Sequence, residues 1–196
     1  MLSFPSSLVD LGIRRFPNLK KLSFKDFEKP RLEKLHIGFC PKLMSISELR
    51  LPPSLSELFI FDCPNLASFP EQGLPPSLSD LEISRCPNLA SFPAQGLPPS
   101  LLYLSFDECP TLKRRCEKGK GQYWGFIAHI PEVEIDCRFV FDPSSYCPDF
   151  ALYLHCCTYE KWSYASLGSG GIHTKVADVG ANIMDKVIDD KDGENC

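Results

Sequence analysis

Four Cys-Pro pairs stand 23 residues apart: Cys40-Pro41, Cys63-Pro64, Cys86-Pro87 and Cys109-Pro110. Three Pro-Pro pairs keep the same step, at Pro52-Pro53, Pro75-Pro76 and Pro98-Pro99. A fixed step within roughly 20–50 residues means one supersecondary unit stacked on copies of itself. The cysteines then read as structural punctuation, and the search for function moves to the residues between them.

Aligned on their first leucine, the copies superimpose. Leu55, Leu58, Ile60, Cys63 and Leu66 match Leu78, Leu81, Ile83, Cys86 and Leu89, then Leu101, Leu104, Phe106, Cys109 and Leu112. Upstream, Leu32, Leu35, Ile37, Cys40 and Leu43 fill the same slots. Leu8, Leu11, Ile13, Phe16 and Leu19 do so once more, with Phe16 replacing the cysteine. The starting leucines of these five copies are 24, 23, 23 and 23 residues apart. The pattern resembles the leucine-rich repeat L-x-x-L-x-L-x-x-N/C-x-L, whose usual period is roughly 20–29 residues.

The strand stretch alternates. Leu58 and Ile60 are expected to point inward, and Glu57, Phe59 and Phe61 outward. One copy cannot bury its leucines, but stacked copies share a core. The fold expected is an α/β-type leucine-rich-repeat solenoid with a parallel sheet on its concave face. Segments such as Ser68 to Ser77 hold too much Pro and Gly for a helix interior. They predict a convex side that is extended and turn-like, with short 3₁₀ pieces. Each Cys-Pro marks where a strand ends, and each thiol is expected to fill the small space beneath the turn.

Composition narrows the function. The 196 residues fit one solenoid plus extra segments. A net charge of −4 and a pI near 5.6 argue against a dedicated nucleic-acid binder. The start at Met1-Leu2-Ser3-Phe4 has neither the basic region nor the apolar run of a signal peptide, and no stretch is apolar enough for a membrane helix. Ten cysteines are about 5% of the chain, below a disulfide scaffold, so reduced thiols are expected. Because the first repeat begins at Leu8, little capping sequence precedes the sheet. That start reads as the C-terminal part of a longer protein, or as a truncated product.

A closing segment follows the fifth copy. Ile130, Val133 and Ile135 fill a last set 29 residues after Leu101, and the charged run Lys113 to Lys120 occupies the extra length. That run reads as a solvated cap loop in preference to a localisation or anion-binding patch. The block Leu112 to Gly121, then Trp124, Ile127 to Pro131 and Val133 to Asp136, resembles the C-terminal end of plant disease-resistance proteins of the coiled-coil, nucleotide-binding, leucine-rich-repeat class. Their last repeats also resemble G-L-P-P-S-L-x-x-L-x-I-x-x-C-P-x-L. The likeness covers residues 4–136.

The resemblance implies a non-catalytic, cytoplasmic module of plant innate immunity. Its implied partners are proteins: a pathogen effector, a guarded host protein, or the receptor's own nucleotide-binding domain. A second reading is a truncated regulatory fragment that docks on that switch domain and restrains it. Such receptors bind ADP or ATP in a domain with no counterpart here. No phosphate-cradling Gly-Lys-Ser/Thr loop occurs, and Gly168 to Lys175 reads as a flexible turn. No cofactor is therefore expected in this chain.

Recognition would fall on the outward strand positions. The candidates are Arg14, Arg15, Lys34, His36, Phe39, Glu57, Phe59, Phe61, Asp62, Glu82, Arg85, Tyr103 and Asp107. The cap adds Glu132, Glu134 and Asp136. The face runs from basic through aromatic to acidic. Phe59 and Phe61 occupy slots that the next repeat fills with Glu82 and Ser84, and aromatics near charges suit interface anchors. The alternative is that both pack on Phe39 and Tyr103 as cross-strand neighbours.

Other chemistry is weaker. The ladder cysteines fall in a line and do not converge on one tetrahedral point, so core placement is favoured over metal binding. His155, Cys156 and Cys157 form the densest reactive cluster, with no assignable orienting partner. The organisation expected is repeats over 1–112, a charged loop and cap repeat over 113–136, and a non-repeat tail over 137–196. The tail reads as read-through sequence in preference to an added module. A short helix is expected over Val176 to Val187 and disorder over Asp189 to Asn195.

Overall fold

The computed structural model describes residues 8–22 and 31–140, and the backbone of 171–176. Strands β1 (Leu8–Arg14), β2 (Lys34–Gly38), β3 (Glu57–Phe61), β4 (Asp80–Ser84), β5 (Tyr103–Asp107) and β6 (Glu132–Ile135) pair in parallel in chain order. The chain is a solenoid. Equal slots stand side by side: Leu35, Leu58, Leu81, Leu104 and Val133 are successive partners. From β2 to β5 this register follows from the constant 23-residue step, and the longer step to Val133 keeps it, because a one-residue slip would turn every leucine to the wrong face.

The alternation described above buries the leucines. Leu35, Leu58, Leu81 and Leu104 are at most 1% exposed, as are Ile37, Ile60, Ile83 and Phe106. Between strands β2 to β5 the chain returns through a series of turns. Three proline-containing turns recur, closed by Leu66 N–H to Cys63 O (3.0 Å), Gly73 N–H to Pro70 O (3.0 Å) and Leu78 N–H to Pro75 O (3.1 Å). In the first and third, proline takes the second position of the turn, where its fixed φ fits. The serine of each Pro-Pro-Ser ties repeats together. Ser54 Oγ donates to Leu32 O (2.8 Å), Ser77 Oγ to Leu55 O (2.6 Å) and Ser100 Oγ to Leu78 O (2.7 Å).

The cysteines lie in the core. Cys40, Cys63, Cys86 and Cys109 are free and buried. Each thiol donates to the carbonyl two residues earlier: Gly38, Phe61, Ser84 and Asp107, at 3.3 to 3.5 Å. Burial pushes the Cys86 thiol up to about 12 and that of Cys109 to about 11. Cys137 differs in being disulfide-bonded.

The residue before each of these cysteines, or before Phe16 in the first copy, turns the chain off the sheet. Arg15, Phe39, Asp62, Arg85 and Glu108 all have left-handed backbone, with φ between 50° and 61°. That conformation costs a non-glycine residue about 1–2 kcal/mol. In return, its N–H extends the ladder: Arg15 to Gly38 O (3.0 Å), Phe39 to Phe61 O (3.1 Å), Asp62 to Ser84 O (2.9 Å) and Arg85 to Asp107 O (2.9 Å).

Three features depart from expectation. First, the charged run begins in a helix, α1 (Pro110–Arg115), followed by α2 (Trp124–Ile127). The third and fourth copies run from Cys-Pro-x-Leu into Phe69-Pro70 or Phe92-Pro93, where proline stops a helix, and the Cys40 copy continues through Ser45, Ile46 and Ser47, which are weaker helix formers than Lys and Arg. After Leu112 come Lys113, Arg114 and Arg115, with no proline before Pro131. Pro110 sits in the first turn, where a missing N–H costs nothing, and the three basic residues favour the last turn.

Second, part of the tail joins the sheet. Strand β7 (Arg138–Phe139) folds back antiparallel on β6 through Asp136 and Cys137, whose positive φ values of 48° and 58° suit a tight two-residue hairpin. Strand β8 (Gly171–Val176) pairs antiparallel with β1, with Ile172 opposite Ile13 and Val176 opposite Leu8. The sequence predicts a flexible turn over Gly168 to Lys175 and a helix beginning at Val176, whereas Gly171–Val176 is a strand. Its Ile-His-Thr-Lys-Val alternation carries strand propensity that outweighs the glycines, and an unpaired edge of β1 is a template for it. The His155-Cys156-Cys157 cluster, residues 177–187 and Asp189 to Asn195 lie outside the described residues.

Third, an aromatic stack runs along the return side. Phe69 meets Phe92 (6.2 Å between centroids), Phe92 meets Tyr123 (5.3 Å) and Tyr123 meets Phe126 (5.7 Å). Arg115 lies over the Tyr123 ring at 5.8 Å. No described helix is long and apolar enough to cross a membrane.

Candidate functional site

Parallel register turns the outward slots into rows across the sheet. One row runs Asp10, Lys34, Glu57, Asp80, Tyr103, Glu132, and the next runs Gly12, His36, Phe59, Glu82, Ser105, Glu134. A third runs Arg14, Gly38, Phe61, Ser84, Asp107. The left-handed residues Arg15, Phe39, Asp62, Arg85 and Glu108 border the last row.

The rows interlock by charge and by stacking. Lys34 pairs with Glu57 at 2.7 Å, and hydrogen bonding to that carboxylate raises the lysine pKa. His36 Nε2 stands 3.3 Å from Asp10 Oδ1, and its ring lies 4.6 Å from that of Phe59 and within 6° of parallel. Arg14 sits over Phe61 at 5.4 Å and Arg15 over Phe39 at 5.6 Å. Burial lowers the Arg14 pKa. The Tyr103 hydroxyl donates to Glu134 at 3.0 Å, while burial, with Glu134 next in effect, raises its pKa. Burial is also the main cause of the upward shifts of Asp107 and Glu132.

Phe61 was expected to project outward, and it is only 3% exposed. The reason lies in the next strand. Its partner there is Gly38, whose missing side chain leaves room for the ring, and an added Cβ would fall 2.2 Å from Phe61 ring carbons. Phe39 meets the ring edge-on at 5.1 Å and 85°, and Arg14 covers it. Phe61 is thus a packed residue on the open side of the sheet. Phe59 remains half-exposed and stacks on His36, while Phe61 packs on Phe39, as the cross-strand alternative has it.

The remaining candidates share the same face. Asp62 and Arg85 lie half-buried on its border, while Glu82 and Asp107 flank Tyr103 and Ser105. Lys113 was overlooked as part of this surface. From the first turn after β5 it hydrogen-bonds Asp136, whose carboxyl is thereby held below the usual range. The signal for it was the run Lys113-Arg114-Arg115, good helix formers with no proline before Pro131, which lets α1 form beside the sheet end. Among the described residues, no cluster of three or more His, Cys, Asp or Glu could hold a metal ion.

The arrangement offers a broad surface of graded charge with one aromatic shelf at its middle. Set against family models, curated proteins and solved structures, the chain matches none.

Proposed function

We propose that this chain is a non-catalytic leucine-rich-repeat recognition module of a plant intracellular immune receptor, binding protein partners on the open face of its sheet during the defence response. The observation that carries the reading is Phe59. It is half-exposed in the middle of that face, stacked on His36, with Lys34 and Glu57 paired beside it. Aromatic residues at the centre of a surface ringed by polar groups are where binding energy concentrates in protein interfaces. The five-copy repeat and the terminal block Leu112 to Asp136 supply the family likeness. On this reading the module works in the cytoplasm, and the nucleotide of such receptors belongs to a different domain.

The same face suits two classes of protein ligand, and one experiment separates them. The purified chain is titrated, by calorimetry, against a purified nucleotide-binding domain of the receptor class and against candidate effectors or guarded host proteins. Binding of an effector or guarded protein, with nucleotide exchange on the switch domain unchanged, supports recognition. Binding to the switch domain with slowed nucleotide exchange supports the restraining fragment. A chain that binds neither class contradicts the proposal.

A further inference from the structure

The charge on the open face is divided by position. Strands β1 and β2 and their turns carry Arg14, Arg15 and Lys34 against a single carboxylate, Asp10. Strands β4 to β6 and their turns carry Asp80, Glu82, Asp107, Glu108, Glu132 and Glu134 against Arg85, because Asp136 is neutralised by Lys113. Lys34 is paired with Glu57 of β3, as Asp136 is with Lys113; without Lys34 the β1–β2 half still carries Arg14 and Arg15 against Asp10, and pairing within either half leaves its net sign unchanged. Between them, on β3, stands the Phe59 ring. The upward shifts of Asp107 and Glu132 accord with an acidic end where carboxylates are crowded and partly desolvated.

Distance makes the two halves separate. Five strand steps of about 4.8 Å span about 24 Å from β1 to β6. The screening length at physiological salt is about 8 Å, so groups on a ligand sense the nearer half and little of the other. An extended chain rises about 3.3 Å per residue, so about seven residues cross the whole face.

We infer that the open face takes an extended protein segment of fixed polarity, laid across the strands. Its acidic side chains lie over β1 and β2, an apolar or aromatic one rests on Phe59, and its basic side chains lie over β4 to β6. This rests on the protein-recognition reading and adds direction to it. The reversed segment sets like charge against like at both ends, a penalty that orients ligands and rejects wrong ones.

The test uses the full isotope-labelled chain and three synthetic heptapeptides, followed by amide NMR. One carries two acidic residues, a central phenylalanine and two basic residues in that order, spaced by glycine. The second has the same composition with its charges alternating, and the third is uniformly basic. The ordered peptide is expected to bind about tenfold more tightly than either of the others, with the difference collapsing at high salt. A nitroxide on its acidic end is expected to broaden the amides of Lys34 and His36 more strongly than those of Tyr103 and Ser105.

Equal affinities for the ordered and alternating peptides overturn the inference. So does a uniformly basic peptide that binds as well as the ordered one, or broadening centred on Tyr103. Concentration-dependent self-association that shifts the same amides overturns it in favour of a second copy of the chain. Failure of all three peptides overturns it too, while the broader recognition reading is judged separately, on whole-protein partners.

Discussion

The Phe61 ring fills the place where Gly38 has no side chain. A Cβ built on Gly38 would lie 2.2 Å from two ring carbons, and Phe39 closes the same ring edge-on at 5.1 Å. The two residues are strand partners in β2 and β3. Gly38→Ala is therefore expected to lower stability by about 1–3 kcal/mol through overpacking. In a Phe61→Leu background the same change should cost clearly less, since contacting residues are not additive. Urea unfolding of the four proteins measures the coupling, and equal costs in both backgrounds would show that the ring does not set the requirement for glycine.

The left-handed residues make a second prediction. Glu108 is exposed, with φ of 50°, so its side chain contributes little to packing. Glu108→Gly should raise stability by up to about 1 kcal/mol and Glu108→Val should lower it by a similar amount, because β-branching opposes positive φ. Thermal melts of the two variants should move in opposite directions. A valine variant as stable as the wild type would sink the account of this turn.

Much of this fold could be read from the repeat, for a physical reason. A 23-residue step fixes the register of neighbouring strands, and register fixes which side chains are buried, so Leu35, Leu58, Leu81 and Leu104 follow directly. What could not be read depends on neighbours distant in the chain. Alternation places Phe61 on the open side, but only the identity of its partner Gly38 shows that the ring is buried there. The left-handed slot was invisible because Arg15, Phe39, Asp62, Arg85 and Glu108 share no turn preference. The pairing of β8 with β1 joins opposite ends of the chain, where local pattern carries no information about partners. At the candidate site, the outward slots were legible residue by residue. The stacking of Phe59 on His36 was not, since it requires both strands in place.

Asp136 and Asp107 should respond to pH in opposite senses. The Lys113 ammonium holds the Asp136 carboxyl below its usual value, while burial, helped by Asp136 and Glu108, pushes Asp107 up. A depressed folded pKa gives stability that is present above the unfolded value and lost as pH falls through the folded one. Lys113→Met is thus expected to be slightly less stable than the wild type at neutral pH, with the gap closing below about pH 4. A raised folded pKa gives stability that is present below the unfolded value and lost as pH rises through the folded one. Asp107→Asn should therefore gain stability at neutral pH and lose that gain below about pH 4. Urea midpoints across this range, at low salt, check both signs. The Lys113 effect is partly exposed and should weaken as salt is added.

The buried thiols of the ladder residues Cys86 and Cys109, and of Cys116 at the end of α1, should be inert in the folded protein. Cys86, Cys109 and Cys116 are buried, and their thiols are pushed up to about 12, 11 and 12. The thiolate is the reactive form, so alkylation at neutral pH should wait for unfolding. Mass spectrometry of iodoacetamide-treated protein, with and without urea, reads this out. Rapid native labelling of these cysteines would contradict their place in the core.

The central claim is that recognition uses the open face of the sheet, and Phe59 tests it most directly. Phe59→Ser is compared with Leu102→Ser, which alters a residue 58% exposed just ahead of β5. Calorimetric affinity for one identified protein partner is the measurement, with circular dichroism confirming that both variants fold. The account predicts that Phe59→Ser weakens binding by about 2 kcal/mol or more, as for an interface anchor, while Leu102→Ser leaves it unchanged. Unchanged affinity in a folded Phe59→Ser variant, or loss confined to Leu102→Ser, would contradict it.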